Sequence, residues 1–287
     1  MVDQVVSTME QNGVVEVKKI LHFGSLNNVM MSVFGRLYDF GENGGEGCEL
    51  EELVSEGYEL LGIFNWSDHF PVVSWFDLQG VRKRCQEEVQ LRRFTMPISL
   101  MFCLIWSRKI SLVMEMIFRG TDTVAILLEW ILARMVLHPD IQAKAQSEID
   151  RVIGGRPVTD SDLDSLPYVQ AIVKETLRMH PPGPLLSWAR LATEDTVVGP
   201  HVVPAGTTAI VNMWAITHDE RVWSEPNRFN PDRFLTEDVA IMGSDLRLAP
   251  FGAGRRVCPG KALGITTVSS VVGSDVAEVQ MGRSGIS

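Results

Sequence analysis

Apolar residues run through the middle of the chain with the spacing and length of buried helices. The stretch from about Met114 to Leu137 is apolar on nearly every face, which predicts a long helix enclosed in a large core. Pro139 begins a second helix that reaches about Ile153, where Gly154 and the glycine after it end the helix. A third helix is predicted over Leu166–Met179, because its apolar residues recur every three or four positions.

Shorter elements flank this helical centre. Glu49–Leu61 has helical spacing, and a last helix begins over Lys261–Thr267. β-branched residues separated by glycine- and proline-containing turns predict short strands at Thr196–Val198, His201–Val203 and Thr207–Val211. Because no repeat and no linker interrupts the pattern, it predicts a mainly α-helical fold with a small β-sheet.

Composition and charge narrow the possible functions. The 287 residues are 45% hydrophobic and 22% charged, which is enough apolar material for a real core. The net charge of −10 argues against a nucleic-acid partner, because such surfaces need clustered Lys and Arg. The first 12 residues are polar, and the most apolar run, Phe94–Trp106, is too short to cross a bilayer. The sequence therefore predicts no membrane anchor within this chain.

The four cysteines, Cys48, Cys85, Cys103 and Cys258, are too scattered to indicate a disulfide framework or a zinc site. The first three are interpreted as ordinary buried thiols. Cys258 differs because it lies in the glycine-rich segment Phe251–Gly260 and is followed by proline. Glycines let backbone amides approach a sulfur closely, and a helix that begins just after the proline favours a negative thiolate. The segment therefore favours a metal-ligating thiolate.

The segment admits two other interpretations. It can be an ordinary buried cysteine in a glycine-rich turn. A dinucleotide-binding loop fits poorly, because Gly252 and Gly254 supply two of the required glycines but Val257 stands in the third place. No strong strand precedes the segment either, so the thiolate interpretation is preferred.

The segment is similar at every fixed position to Phe-x-x-Gly-x-Arg-x-Cys-x-Gly, the heme loop of cytochrome P-450. The resemblance implies a heme b cofactor whose iron is ligated by the thiolate of Cys258. It also implies that Arg256 binds one heme propionate and that Arg190, after Ser187-Trp188-Ala189, contacts the other; a surface arginine is the alternative for Arg190. The cofactor-binding residues implied are Cys258, Arg256, Arg190, Phe251, Gly252, Gly254 and Gly260.

Glu175 and Arg178 stand three positions apart on a predicted helix, so they share a face and can pair. Taken alone, such a pair would be a solvated bridge worth at most about 0.5 kcal/mol. With the Met-His-Pro-Pro that follows, it resembles the family's Glu-x-x-Arg helix, in which the pair is buried behind the heme. There an arginine from a Pro-x-Arg-Phe segment joins it, and the resemblance assigns this structural role to Arg233 in Pro231–Phe234.

Gly120-Thr121-Asp122-Thr123 interrupts the apolar central helix with small and polar residues. The simplest explanation is a threonine hydroxyl bonded to the preceding turn. The resemblance implies instead an oxygen-activating groove, with the catalytic residues Asp122 passing protons and Thr123 hydrogen-bonding dioxygen, while Gly120 makes room. The family usually has Ala or Gly in place of Arg119. The segment Phe-Arg-Gly-Thr-Asp-Thr resembles the corresponding segment of family 78, subfamily A, of the plant enzymes.

The resemblance covers residues 115–267 well, and residues 95–111 and 269–287 are atypical of the family. The second of these segments is polar and glycine-rich where family members continue an apolar helix. Family members are also longer, with an apolar leader and first helices that have no counterpart here. Residues 1–287 are therefore expected to form a single partial cytochrome P-450 domain, truncated at both ends.

The implied function is a heme-thiolate monooxygenase that inserts one oxygen atom of O2 into an apolar small-molecule substrate. Its electrons would come from NADPH through a separate cytochrome P-450 reductase, aided by a basic face formed by Arg255, Arg256 and Lys261. By family resemblance the location is the endoplasmic reticulum membrane, although this chain lacks the anchor. The alternatives are an inactive truncated or mis-spliced remnant and a heme-binding or redox-sensing module without turnover.

Overall fold

The structure is a computed structural model that describes residues 5, 8, 15–40, 45–62, 83, 109–186 and 190–278. Within the atypical segment 95–111, residues 95–108 lie outside the described part of the chain. Ser187, Trp188 and Ala189 also lie outside it. The helices are α1 Val17–Phe34, α2 Glu46–Gly62, α3 Lys109–Leu137, α4 Pro139–Ile153, α5 Pro167–Met179, α6 Met213–Thr217, α7 Arg233–Thr236 and α8 Lys261–Glu278. Short 3-10 helices cover Asp160–Ser165 and Gly254–Arg256.

The chain divides into two compact units, and the two boundaries fall within α1 and within α3. One unit comprises residues 23–122, and its core is formed where α1, α2 and the start of α3 meet. The buried side chains of this core are Leu26, Val29, Met30, Leu50, Val54 and Ile117. The other unit comprises residues 1–22 and 123–287. In that unit α8 packs against α4 and α5, and the three helices contribute Val272, Ile149 and Ile172, respectively, to one continuous core.

The predicted start and end of α4 are confirmed. Pro139 occupies the first position of α4, where the missing N–H of proline costs nothing. Gly154 ends α4 in the left-handed conformation with φ +68°, and its N–H bonds the carbonyl of Asp150. α3 extends further than predicted, because it begins at Lys109 instead of about Met114.

A carboxylate from a neighbouring helix caps α5. The residue before α5 is Leu166, which has no side chain that could accept the free N–H groups of the first turn. Glu148 of α4 supplies the acceptor, since its carboxylate binds the backbone N–H of Tyr168 at 3.0 and 2.9 Å and that of Val169 at 3.0 Å. Glu148 is buried, and the helix dipole favours its negative charge at this end. This contact fixes the start of the helix that carries Glu175 and Arg178.

The predicted strands form two small antiparallel sheets. β2 (Thr196–Val198) pairs with β3 (His201–Val203) across the Gly199-Pro200 turn, with Val197 opposite Val202. β1 (Arg190–Leu191) pairs with β4 (Thr208–Ala209), which is shorter than the predicted Thr207–Val211. The mainly helical fold with a small sheet component is therefore confirmed.

The last helix, predicted to begin over Lys261–Thr267, extends well into the segment 269–287. α8 continues through Glu278, although Ser, Gly and Asp are weak helix formers. The reason is burial, because Val268, Val272 and Val276 recur every four residues and all point into the core. Residues 279–287 lie outside the described part of the chain.

Within the described ranges, none of the helices combines the length and the apolar character that a membrane crossing requires.

Candidate functional site

Cys258 lies in a tight loop between a short 3-10 helix and α8. Its thiol is half-buried and forms no disulfide. The backbone N–H of Cys258 donates to the carbonyl of Phe251 at 2.9 Å, which closes the loop on itself. Pro259 and Gly260 then lead into the 18-residue helix α8, so the sulfur stands just before a helix N-terminus, where a thiolate is favoured.

Two glycines make the shape of this loop possible. Gly252 and Gly254 have φ values of +71° and +69°, a region that other L-residues rarely adopt. A third glycine, Gly243, was not recognised in the sequence. A Cβ on Gly243 would lie 2.8 Å from the carbonyl oxygen of Gly252. Only glycine at position 243 therefore lets the backbone there approach the Cys258 loop this closely. Residue spacing gives no signal for such a contact, because it joins two irregular segments.

The residues around the sulfur suit a heme with a thiolate ligand. Such a site needs one protein sulfur, and Cys258 is accessible enough to supply it. Phe251 is half-buried and packs against the main core, which anchors the start of the loop. Arg255 and Arg256 are exposed, so Arg256 is available to an anionic propionate, and Lys261 donates to the carbonyl of Met242 at 2.9 Å.

Glu175 and Arg178 form a fully buried ion pair, and both side chains are 0% exposed. The guanidinium binds the carboxylate through two bonds, from Nε to Oε2 at 2.8 Å and from Nη2 to Oε1 at 2.9 Å. Its other N–H groups donate to the carbonyls of Thr217 and Pro226, both at 2.8 Å, and of Arg228 at 3.3 Å. All five donors of Arg178 are therefore used, which is the condition under which a buried charge is tolerated.

The structure brings Arg233 to the same carboxylate. Its Nε lies 3.1 Å from Oε2 of Glu175, and its Nη1 donates to the carbonyl of Ser224 at 3.0 Å. The backbone N–H of Asn230 also donates to Oε1 of Glu175 at 2.9 Å, a contact that the sequence did not indicate. Together these bonds fasten the irregular segment 217–233 to α5.

The central-helix motif has neighbours that the sequence did not reveal. A Cβ on Gly120 would lie 3.1 Å from a methyl group of Val29, so this glycine makes room for α1. The hydroxyl of Thr121 bonds the carbonyl of Ile117 at 2.8 Å, which is the simple arrangement of a helical threonine. Buried Ser25 donates to the carbonyl of Thr121 at 2.7 Å. Of the proposed catalytic pair that follows, Asp122 is half-buried and Thr123 is exposed.

Arg190 begins β1 and is exposed, with its backbone paired to Ala209. Its proposed propionate contact and the alternative, a surface arginine, both remain compatible with this position.

His180 ends α5 and contacts α3. Its N–H donates to the carbonyl of Thr176 at 2.7 Å, and its ring stacks on Trp130 with centroids 3.8 Å apart. Nε and Nη2 of Arg134 lie 2.9 and 2.8 Å from Nε2 of His180, so the ring accepts from the guanidinium and is neutral. Burial first, and then the positive charge of Arg134, lower the pKa of His180 to about 4.

The depressed pKa of His180 predicts a loss of stability in weak acid. Above pH 6.5 the ring is neutral in both the folded and the unfolded chain; between pH 6.5 and about 4 only the unfolded chain takes up the proton. We expect unfolding free energy to fall by about 1 to 2 kcal/mol across this range, after allowance for the half-exposed ring. Urea unfolding of wild type and His180→Gln at pH 7, 5 and 4 measures this difference.

The matched control for this experiment is His201→Gln, because His201 is exposed on β3. It should keep the pH dependence of the wild type. If His180→Gln also keeps that dependence, the titration belongs to another group.

Comparisons with known proteins identify the family of this chain. The cytochrome P450 family model matches residues 109–274. Cytochrome P450 78A5 of Arabidopsis thaliana is 58% identical over 93% of this chain, and cytochrome P450 78A1 of Zea mays is 46% identical over 93%. The matched regions are 57% and 56% of those two relatives, so the chain spans little more than half of their length.

A solved structure of a cytochrome P450 has a similar fold. A zebrafish cytochrome P450, solved with abiraterone, superposes with a TM-score of 0.71 at 25% identity and covers 96% of this chain and 67% of that one. The family match extends from α3 to α8 and includes the Cys258 loop, the buried Glu175 and Arg178 pair, and Arg233. The chain belongs to the cytochrome P450 family.

Proposed function

We propose that the protein is a heme-thiolate monooxygenase that binds heme b through the thiolate of Cys258. The observation that carries this proposal is the half-buried thiol of Cys258, held by a turn with two left-handed glycines just before α8. Membership of the cytochrome P450 family supports it, since the family is defined by this cofactor and ligand. The buried Glu175 cluster supports the proposal further, because it stiffens the domain that carries the loop.

When bound, the heme supplies the redox chemistry of O2, which a thiolate ligand favours by donating electron density to the iron. The chain supplies the binding groups. The Sγ of Cys258 would ligate the heme iron, and the guanidinium groups of Arg256 and Arg190 would bind the two propionates. Phe251, Gly252, Gly254 and Gly260 shape the loop; Glu175, Arg178 and Arg233 keep the surrounding segments in place.

Proton delivery is assigned to the motif on α3. With heme bound, the hydroxyl of Thr123 would donate a hydrogen bond at the oxygen-binding position, and the carboxyl group of Asp122 would pass protons toward Thr123 from solvent. The partial exposure of Asp122 and the exposure of Thr123 support this role, since a proton relay needs access to water.

The substrate is proposed to be an apolar small molecule and the electron source NADPH, through a cytochrome P450 reductase. Exposed Arg255 and Arg256 stand beside the thiolate loop, where they can attract an acidic partner despite the acidic total charge. Association with the endoplasmic reticulum membrane is part of the same proposal and rests on the family alone.

A spectrum of the heme-loaded protein tests the proposal directly. The purified chain is mixed with hemin, freed of excess cofactor, reduced and exposed to carbon monoxide. We expect the strongly red-shifted Soret band that a thiolate ligand produces. Failure to retain heme, or a Soret band in the unshifted position, would contradict the proposal and favour an inactive remnant.

A further inference from the structure

The cluster around Glu175 carries an excess positive charge. One carboxylate, Glu175, faces two guanidinium groups, Arg178 and Arg233, and the three side chains are 0%, 0% and 9% exposed. In the described part of the chain, neither arginine has a second carboxylate within ion-pair distance. Backbone carbonyls accept the remaining N–H groups of Arg178, but a carbonyl carries only a partial charge. A buried positive charge of this kind needs further compensation.

Trp223 is placed to compensate the buried positive charge of the two arginines. Its side chain is buried, with 3% of the residue exposed. The central carbon of the Arg178 guanidinium lies 5.5 Å from the centre of the Trp223 ring, and that of Arg233 lies 5.9 Å from it. Both distances fall within the range in which the negative face of an indole attracts a cation. One aromatic ring therefore contacts both arginines that share Glu175.

The indole N–H of Trp223 indicates that this ring is not present only to fill space. Its Nε1 is buried and has no hydrogen-bond acceptor among the described residues, which is an unfavourable state for a polar group. A phenylalanine or leucine would fill a core position without that cost. The indole has the strongest attraction for cations among aromatic side chains, so the benefit that offsets the buried N–H is electrostatic.

We infer that Trp223 is a positioning residue, which holds the guanidinium groups of Arg178 and Arg233 in the orientation that binds Glu175. Sequence patterns give no sign of this role. The inference concerns a cluster within one unit of the fold and needs no heme, so it stands or fails independently of the proposed function.

Nuclear magnetic resonance of the arginine side chains tests the inference. In the full chain labelled with 15N, the Nε–Hε signals of Arg178 and Arg233 should exchange slowly with water and be displaced upfield by the indole ring. Arg233→Lys removes one of the two signals and so assigns both. Trp223→Leu should raise the exchange rate of both Nε–Hε groups at least tenfold, because an aliphatic side chain offers no attraction to a cation.

The control is Trp214→Leu, since Trp214 is half-exposed and stacks on His218. It should leave both signals unchanged. Exchange rates within twofold of wild type in Trp223→Leu would overturn the inference. If that variant does not fold, Trp223→Phe decides: its smaller ring should move both Hε signals downfield while the backbone signals of α5 stay in place, and unmoved Hε signals would overturn the inference equally.

Discussion

Replacing Cys258 with alanine is expected to abolish the red-shifted Soret band of the reduced, carbon-monoxide-treated protein completely. Alanine removes the sulfur and leaves the left-handed turns at Gly252 and Gly254 intact, so the loop loses its ligand without losing its shape. Absorbance after hemin loading, read before and after carbon monoxide, measures the effect. Hemin that still binds without a thiolate would give an unshifted band.

Cys48→Ala is the matched control, because Cys48 is also a half-buried thiol and lies on α2. This variant should give the spectrum of the wild type. A red-shifted band that survives in Cys258→Ala and disappears in Cys48→Ala would transfer the ligand assignment from the loop before α8 to α2.

The second large effect is expected from Arg178→Leu. The substitution leaves Glu175 buried without its main partner and removes the donors that bind the carbonyls of Thr217 and Pro226. Breaking a buried ion pair on one side costs about 3 to 5 kcal/mol. Since a domain is stable by only about 5 to 15 kcal/mol, we expect most of the unfolding free energy to disappear. Urea denaturation followed by circular dichroism measures the change.

Arg228→Leu provides the comparison, because Arg228 pairs with Glu225 at the surface and both side chains are 66% exposed. That exposed pair is expected to contribute at most about 1 kcal/mol. Equal losses in the two variants would show that burial of the Glu175 pair has no energetic importance.

Local sequence signals were sufficient to predict much of the fold. Pro139 and Gly154 mark the ends of α4 because proline and glycine have strong and specific backbone preferences. The β2–β3 hairpin follows from β-branched residues on either side of a Gly-Pro turn. The i, i+3 spacing of Glu175 and Arg178 places them on one face of α5 and makes their pairing possible.

Contacts between distant segments were not predictable from such signals. The cap that Glu148 provides for α5 spans 20 residues, and the bond from Ser25 to the carbonyl of Thr121 spans 96. Neither glutamate nor serine has a local sequence preference from which such a distant partner could be predicted. The length of α8 was missed for a related reason: its helix-forming tendency is weak, and burial of Val272 and Val276 against the core overrides it.

The hydrogen bonds that Arg178 donates restrict the local opening of the segment 217–228. The segment 217–228 contains little regular structure, and a loop of that kind ordinarily fluctuates on its own. Here its carbonyls are bonded to a side chain inside α5, so the loop can swing outward only if a desolvated ionic group loses its partners at the same time. The loop and the helix therefore belong to one cooperative folding unit, although the loop itself has little regular structure.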